Sequence, residues 1–222
     1  LGTAIRYIRS SLSNGQFNGQ DIQPATALAA DVSGYMRTGT VMFGKDTDLS
    51  LGMNISNIGT KMNYSDGSSK SFLPTNMKLG GASTFNLDDL NQFTVALDLN
   101  KLLVPTNPIR DANGEITSGK DPDRSVPAGI FGSFSDAPGG FSEELSELSY
   151  SLGTEYWYNK QFALRSGYFY ETPTKGDRRY FTVGAGLKYN VFNLDFAYLL
   201  ANQQKSPLAQ TLRFSLVFNF EK

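Results

Sequence analysis

Residues 148–170 read LSYSLGTEYWYNKQFALRSGYFY, and alternate positions are apolar. Leu148, Tyr150, Leu152, Tyr156 and Tyr158 form one row; Phe162, Leu164, Tyr168 and Tyr170 form the next. The positions between carry small, polar or charged residues, among them Ser149, Gly153, Glu155, Arg165 and Gly167. A period of two means strands with one apolar and one polar face. The rule continues through Phe181, Val183, Ala185, Leu187 and Tyr189, then Phe192, Leu194, Phe196, Tyr198 and Leu200. It ends on Leu212, Phe214, Leu216, Phe218 and Phe220. Strands of about ten residues, tilted, are long enough to cross a bilayer. The joints alternate as well: Asn159-Lys160 and Asn190-Val191 are short, while 172–179 and 202–208 are longer. That is the pattern of an outer-membrane barrel.

Composition narrows the chemistry. The chain has 222 residues, 22 glycines, 27 Tyr plus Phe, and one Trp, which suits a single large β domain. With no histidine and no cysteine, the commonest general base and metal ligand are missing and no disulfide framework exists. A formal net charge of −1 gives no broad electrostatic case for nucleic acid. No enzyme, cofactor or metal is expected. No run of 18 apolar residues predicts a transmembrane helix, and alternating strands hide their hydrophobicity from averaged windows.

Upstream, five more strands are predicted. The first begins at Leu1, already strand-like, so a mature form or a fragment is expected. The second runs from Leu28 to Arg37, with a turn at Lys45-Asp46. The third carries Leu49, Leu51, Met53 and Ile55. The fourth spans Asn76–Phe85 behind Pro74, and the fifth carries Phe93, Val95, Leu97 and Leu99. Loops are expected at 13–24 and at 57–70, the latter holding the Asp66-Gly67 turn signal. Asn86–Asn91 reads as a connection with one helical turn. The longest irregular stretch is 105–145, with a short helix expected near Ser142–Glu147. Ten strands in a meander put the loops 13–27, 57–73, 105–145, 172–179 and 202–208 on one side. If the short turns are periplasmic, those loops are extracellular and the C-terminus is periplasmic. The fold class expected is all-β: one antiparallel transmembrane barrel domain over 1–222.

The polar face suggests ion pairs rather than catalysis. A three-residue turn around Lys160 places Glu155 opposite Arg165, an ordinary cross-strand pair. A two-residue turn at Asn190-Val191 places Gly186 opposite Asp195, with Lys188 one diagonal step from Asp195. Glu155, Arg165, Lys188 and Asp195 are therefore candidate lumen pairs with a structural role. Tyr156, Tyr158, Tyr168, Tyr170, Tyr189 and Tyr198 fit interfacial girdles; the competing reading is the aromatic core of a soluble sandwich, which leaves the sorted loop lengths unexplained. Lys175–Arg179 reads as a solvated loop tip. Gly80-Gly81 and Gly184-x-Gly186 mark close approach within strands rather than a nucleotide fingerprint. Phe218-x-Phe220 is similar to the aromatic C-terminal signal of barrel assembly, although Glu221-Lys222 follow it.

Several blocks carry a family resemblance. They are Leu152–Tyr158, Phe162–Glu171, Arg179–Gly186 and Thr211–Leu216, with Asn54–Thr60 and Phe72–Asn76 upstream. Together they resemble the PorV (LptO) family of the type IX secretion system of Bacteroidota, an outer-membrane, FadL-like barrel family; the related PorQ barrels are the nearest confusion. The resemblance implies fourteen strands, so that about four N-terminal strands and a signal peptide are expected to be absent here. It implies binding of cargo, through the cargo's C-terminal signal domain, at the translocon barrel (SprA/Sov-like). It further implies delivery to a surface attachment complex with a PorU-type sortase, all within outer-membrane lipid. It supplies no catalytic residue. The alternative is a FadL-like transporter of hydrophobic small molecules; an outer-membrane lipase is disfavoured by the missing histidine.

For a shuttle, the 105–145 loop is the candidate partner surface. It interleaves Val126, Ile130, Phe131, Phe134 and Phe141 with turn formers, and exposed apolar groups in a loop commonly mark a partner site. Folding back to cap the barrel is the competing expectation.

Overall fold

The computed structural model describes residues 1–11, 15–17, 20–64, 70–201 and 211–219. The Asp66-Gly67 turn, the 202–208 loop, Phe220 and most of the 13–19 stretch lie outside these residues. The fold is all-β. One ten-stranded antiparallel sheet dominates, its strands neighbouring one another in chain order. We label them β1 Gly2–Ser10, β2 Ala25–Met42, β3 Lys45–Gly59, β4 Asn76–Asn86 and β5 Asn91–Leu102. After the long loop come β6 Leu148–Tyr158, β7 Phe162–Tyr170, β8 Arg179–Tyr189, β9 Phe192–Ala201 and β10 Thr211–Phe218. Two short ribbons sit in loops, Gly15–Phe17 with Gln20–Ile22 and Ile109–Arg110 with Ile116–Ser118. The joints at 43–44, 87–90, 159–161 and 190–191 are short, and those at 60–75, 103–147 and 171–178 are longer.

Three local expectations need correction. β2 and β3 are 18 and 15 residues long, well beyond the predicted 28–37 and 48–55. Their turn is Phe43-Gly44, not Lys45-Asp46. Both turn residues have positive φ, 53° and 71°, which matches the right-handed twist of a two-residue hairpin; a phenylalanine in that position carries no turn signal. The 86–91 connection has no helical turn. Asp88 accepts hydrogen bonds from the Leu90 and Asn91 amides instead, an Asx-type turn.

Contacts divide the chain into two compact units. One comprises Leu1–Gly34, Met53–Lys78 and Asn100–Leu148; the other comprises Tyr35–Gly52, Leu79–Leu99 and Ser149–Lys222. In the first, one face of β2 is buried: Ala25, Ala27 and Ala29 pack against Met62 and Leu73, with Ile8 and Tyr64 beside them. Small alanines leave the room that residues 60–64 and 70–75 occupy. That segment is held by Thr60 N–H to the Leu28 carbonyl (3.0 Å) and by the Met62–Ser71 bridge (2.8 Å each way). Leu28 and Val32, on the opposite face of the same strand, are exposed.

In the second unit the predicted registers appear. Glu155 faces Arg165, Tyr189 faces Phe192, and Gly186 faces Asp195. Asn159 and Lys160 adopt positive φ in a three-residue turn, and Asn190 does so in the next. The alternating apolar rows are not packed into any core. Leu164 is 64% exposed and Phe214 68%, and Leu152, Phe181, Val183, Phe196, Leu200 and Leu212 are exposed as well. A soluble sandwich would bury these rows. An apolar face left open along several neighbouring strands is what a bilayer solvates.

Candidate functional site

The 105–145 stretch is a folded platform and not an irregular loop. It carries helix α1, Val126–Gly132, and helix α2, Phe141–Ser146. Ser125 in extended conformation and a proline in the first turn start α1. Glu143 and Glu144 in the first turn suit the positive end of α2. Gly129 is buried where α1 crosses Phe72, and a Cβ there would stand 2.5 Å from the Phe72 ring. Only glycine permits that contact.

Buried charge pins the platform to β5. Lys101, only 4% exposed, donates to Glu144 Oε2 (3.0 Å) and to Glu147 Oε2 (2.7 Å). Glu144 Oε1 accepts the amides of Asp136 (2.7 Å) and Ala137 (2.9 Å). Thr106 donates to Glu147 (2.6 Å), and Arg124 to Asp136 (2.7 Å). Burial pushes the Asp136 carboxyl above its ordinary range, against the pull of Arg124. Sequence reasoning overlooked this cluster, although a cue existed. Lys101 continues the parity of Phe93, Val95, Leu97 and Leu99, so a charge interrupts an apolar row and needs partners.

The predicted partner residues divide by exposure. Phe131 and Phe141 are each 78% exposed, and Phe134 is exposed beside the Lys101 ammonium, 5.8 Å from its ring centroid. Val126 and Ile130 are half-buried on α1. Leu145, not singled out from sequence, is also exposed. The platform therefore has a pinned charged side and an open aromatic side. A cavity of about 490 Å³ lies in the same unit, lined in part by Phe72, Pro74, Val104, Pro105 and Pro122.

The polar-face residues form a different constellation in the second unit. Arg165 donates from Nε to Glu155 and from Nη1 to Asp195, bridging three strands. Asp195 is thus held by Arg165 and not by Lys188, which corrects the expected diagonal pair. The reason lies at Gly186, where a Cβ would stand 2.8 Å from both Arg165 Nη1 and Asp195 Oδ1. The missing side chain lets the guanidinium lie across β8. Arg165 also covers the Trp157 ring, 5.4 Å from its centroid. Replacing Arg165 by Ala is expected to cost about 2 kcal/mol, because two half-buried carboxylates then lose the cation they share. Glu155→Ala is expected to cost less, since Asp195 still engages Arg165. In a double-mutant cycle by denaturant titration the combined loss should fall short of the sum; additivity would show that the pair is uncoupled. Among the described residues no cluster of three or more carboxylates could hold a metal ion.

A family model described as type IX secretion system protein PorV matches residues 1–109. The matched segment includes Asn54–Thr60 and Phe72–Asn76, while the blocks from Leu152 onward lie beyond it. A search of curated proteins returned no match.

Proposed function

The chain belongs to the PorV family, components of type IX secretion in the outer membrane, and from that premise we propose that it captures secreted cargo on the aromatic side of the 105–147 platform. In this reading cargo is received through its C-terminal signal domain at the translocon barrel and handed to a surface attachment complex containing a PorU-type sortase. The long loops are extracellular and the short turns periplasmic. The observation that carries the proposal is the pair Phe131 and Phe141, each 78% exposed on a loop held from behind by buried ion pairs. Rigid aromatic groups presented to solvent lose little freedom on binding and are the usual anchors of protein interfaces. The transporter alternative has less support. In the first unit one face of β2 is covered by Met62 and Leu73, and in the second unit the polar face carries fixed charges where an apolar solute would need an apolar path.

Phe131→Ser combined with Phe141→Ser tests the proposal. Both side chains are open in the free protein, so assembly, read as heat-modifiable gel mobility, should be normal. Co-purification of secreted proteins bearing the signal domain should fall by tenfold or more, the effect of losing about 2 kcal/mol from interface anchors. Normal capture by the assembled double variant would remove this surface from the mechanism.

A further inference from the structure

We propose that the 105–147 platform is a proton-operated latch: Asp136 holds a proton while segment 133–147 is closed, and its loss to water opens that segment. The proposal is independent of the cargo-capture reading. Asp136 lies in the turn between α1 and α2, and its side chain is wholly buried. Its Oδ2 accepts from Arg124, while Oδ1 is buried without a hydrogen-bond partner. The amides of Asp136 and Ala137 both donate to Glu144 Oε1, so the turn that carries Asp136 also fastens α2.

Charges and hydrogen bonds together place the proton. Inside the platform Lys101 pairs with Glu144 and Glu147, and Arg124 with Asp136. Three carboxylates thus share two cations, and one proton restores balance. Both oxygens of Glu144 and both of Glu147 accept hydrogen bonds, from Lys101, the two amides or the Thr106 hydroxyl. A proton on any of them would displace a donor. Asp136 Oδ1 has no donor to displace, and protonation there leaves Oδ2 as an acceptor for Arg124. The neighbouring Thr106 hydroxyl, which donates to Glu147, has lone pairs to accept the new O–H. Burial raises the Asp136 carboxyl above its ordinary range and the Glu144 charge adds to it, while Arg124 and Thr106 pull the other way without reversing the direction. Lys120 and Glu143 bond to the same turn, at Ser135 and Gly139. The closed form therefore binds the proton more tightly than the opened one. Closure is strongest at low pH and is lost as pH rises through the value of the buried carboxyl. Once ionised, Asp136 is a buried charge with one bare oxygen, which is costly until water reaches it. Admitting that water breaks the two amide bonds to Glu144 and parts the turn from α2, moving Phe134 and Phe141.

The sequence has no histidine and no cysteine, so no side chain at its ordinary value changes charge between about pH 5 and 8. Amide hydrogen exchange of the intact protein in detergent micelles, corrected at each pH for the unstructured rate, reads the latch across that range. Protection of 133–147 should fall as pH rises, by at most about tenfold per pH unit, the limit for release of one proton. Protection in β6 to β9 should stay constant. Asp136→Asn, a neutral side chain of the same shape, should remove the pH dependence and keep the segment protected at the alkaline end. Protection of 133–147 that is flat or rises with pH in the parent protein would overturn the proposal, whether or not the variant assembles. So would an Asp136→Asn protein that keeps the parent's pH profile, or one whose segment is open at every pH.

Discussion

Replacing Lys101 by Met is expected to destabilise the 105–147 platform by about 3–5 kcal/mol, because it strands buried carboxylates that now share one ammonium. Glu144 and Glu147 are both bonded to that group and both nearly excluded from solvent. Glu144 would keep its two backbone donors, and Glu147 would keep the Thr106 hydroxyl. The loss should be local, because β5 keeps its place in the sheet through backbone pairing. Limited proteolysis in micelles would show it: cleavage within 105–147 should accelerate strongly while heat-modifiable mobility persists. Adding Glu144→Gln and Glu147→Gln to Lys101→Met should restore part of the protection, since neutral amides no longer leave charge unpaired. Unchanged cleavage in Lys101→Met would mean that apolar packing around Phe72 and Gly129, not the ion cluster, holds the platform.

Arg in place of Val183 should cost about 2–4 kcal/mol, whereas Arg in place of Tyr189 should cost about 0–1 kcal/mol. Both side chains are exposed on the apolar face of β8, Val183 near its centre and Tyr189 at its last residue. Lipid makes the penalty depend on depth; water does not. Refolding into bilayers followed by denaturant titration would measure the difference. Equal costs at the two positions would show that these rows do not face hydrocarbon. Phe192 and Phe218, paired edge to face at 5.2 Å beside the same end of the strands, should tolerate polar replacement nearly as well as Tyr189.

Strand number, strand facing and the hairpin registers of β6 to β9 were determined by the sequence alone. Period-two alternation is a local property of the backbone, and a turn of known length sets which residues face each other. Glu155 opposite Arg165 followed from counting across the Lys160 turn. Where the turn residue was uninformative, as at Phe43-Gly44, counting failed and β2 and β3 came out too short. The loop between β5 and β6 was legible as long and partly apolar. Its second helix was expected at 142–147 and stands at Phe141–Ser146; the rest of its fold was not legible, because helices of six or seven residues have almost no stability of their own and form here by packing Gly129 on Phe72 and by anchoring Glu144 on Lys101. The same limit applies to Arg165. Its bond to Glu155 is a nearest-neighbour relation along one hairpin, but its reach to Asp195 spans β8 and depends on the space above Gly186. Pairing between adjacent strands is written in spacing; contact across a third strand, or from a loop onto a strand end, exists only once side-chain volumes and buried charges have met in three dimensions.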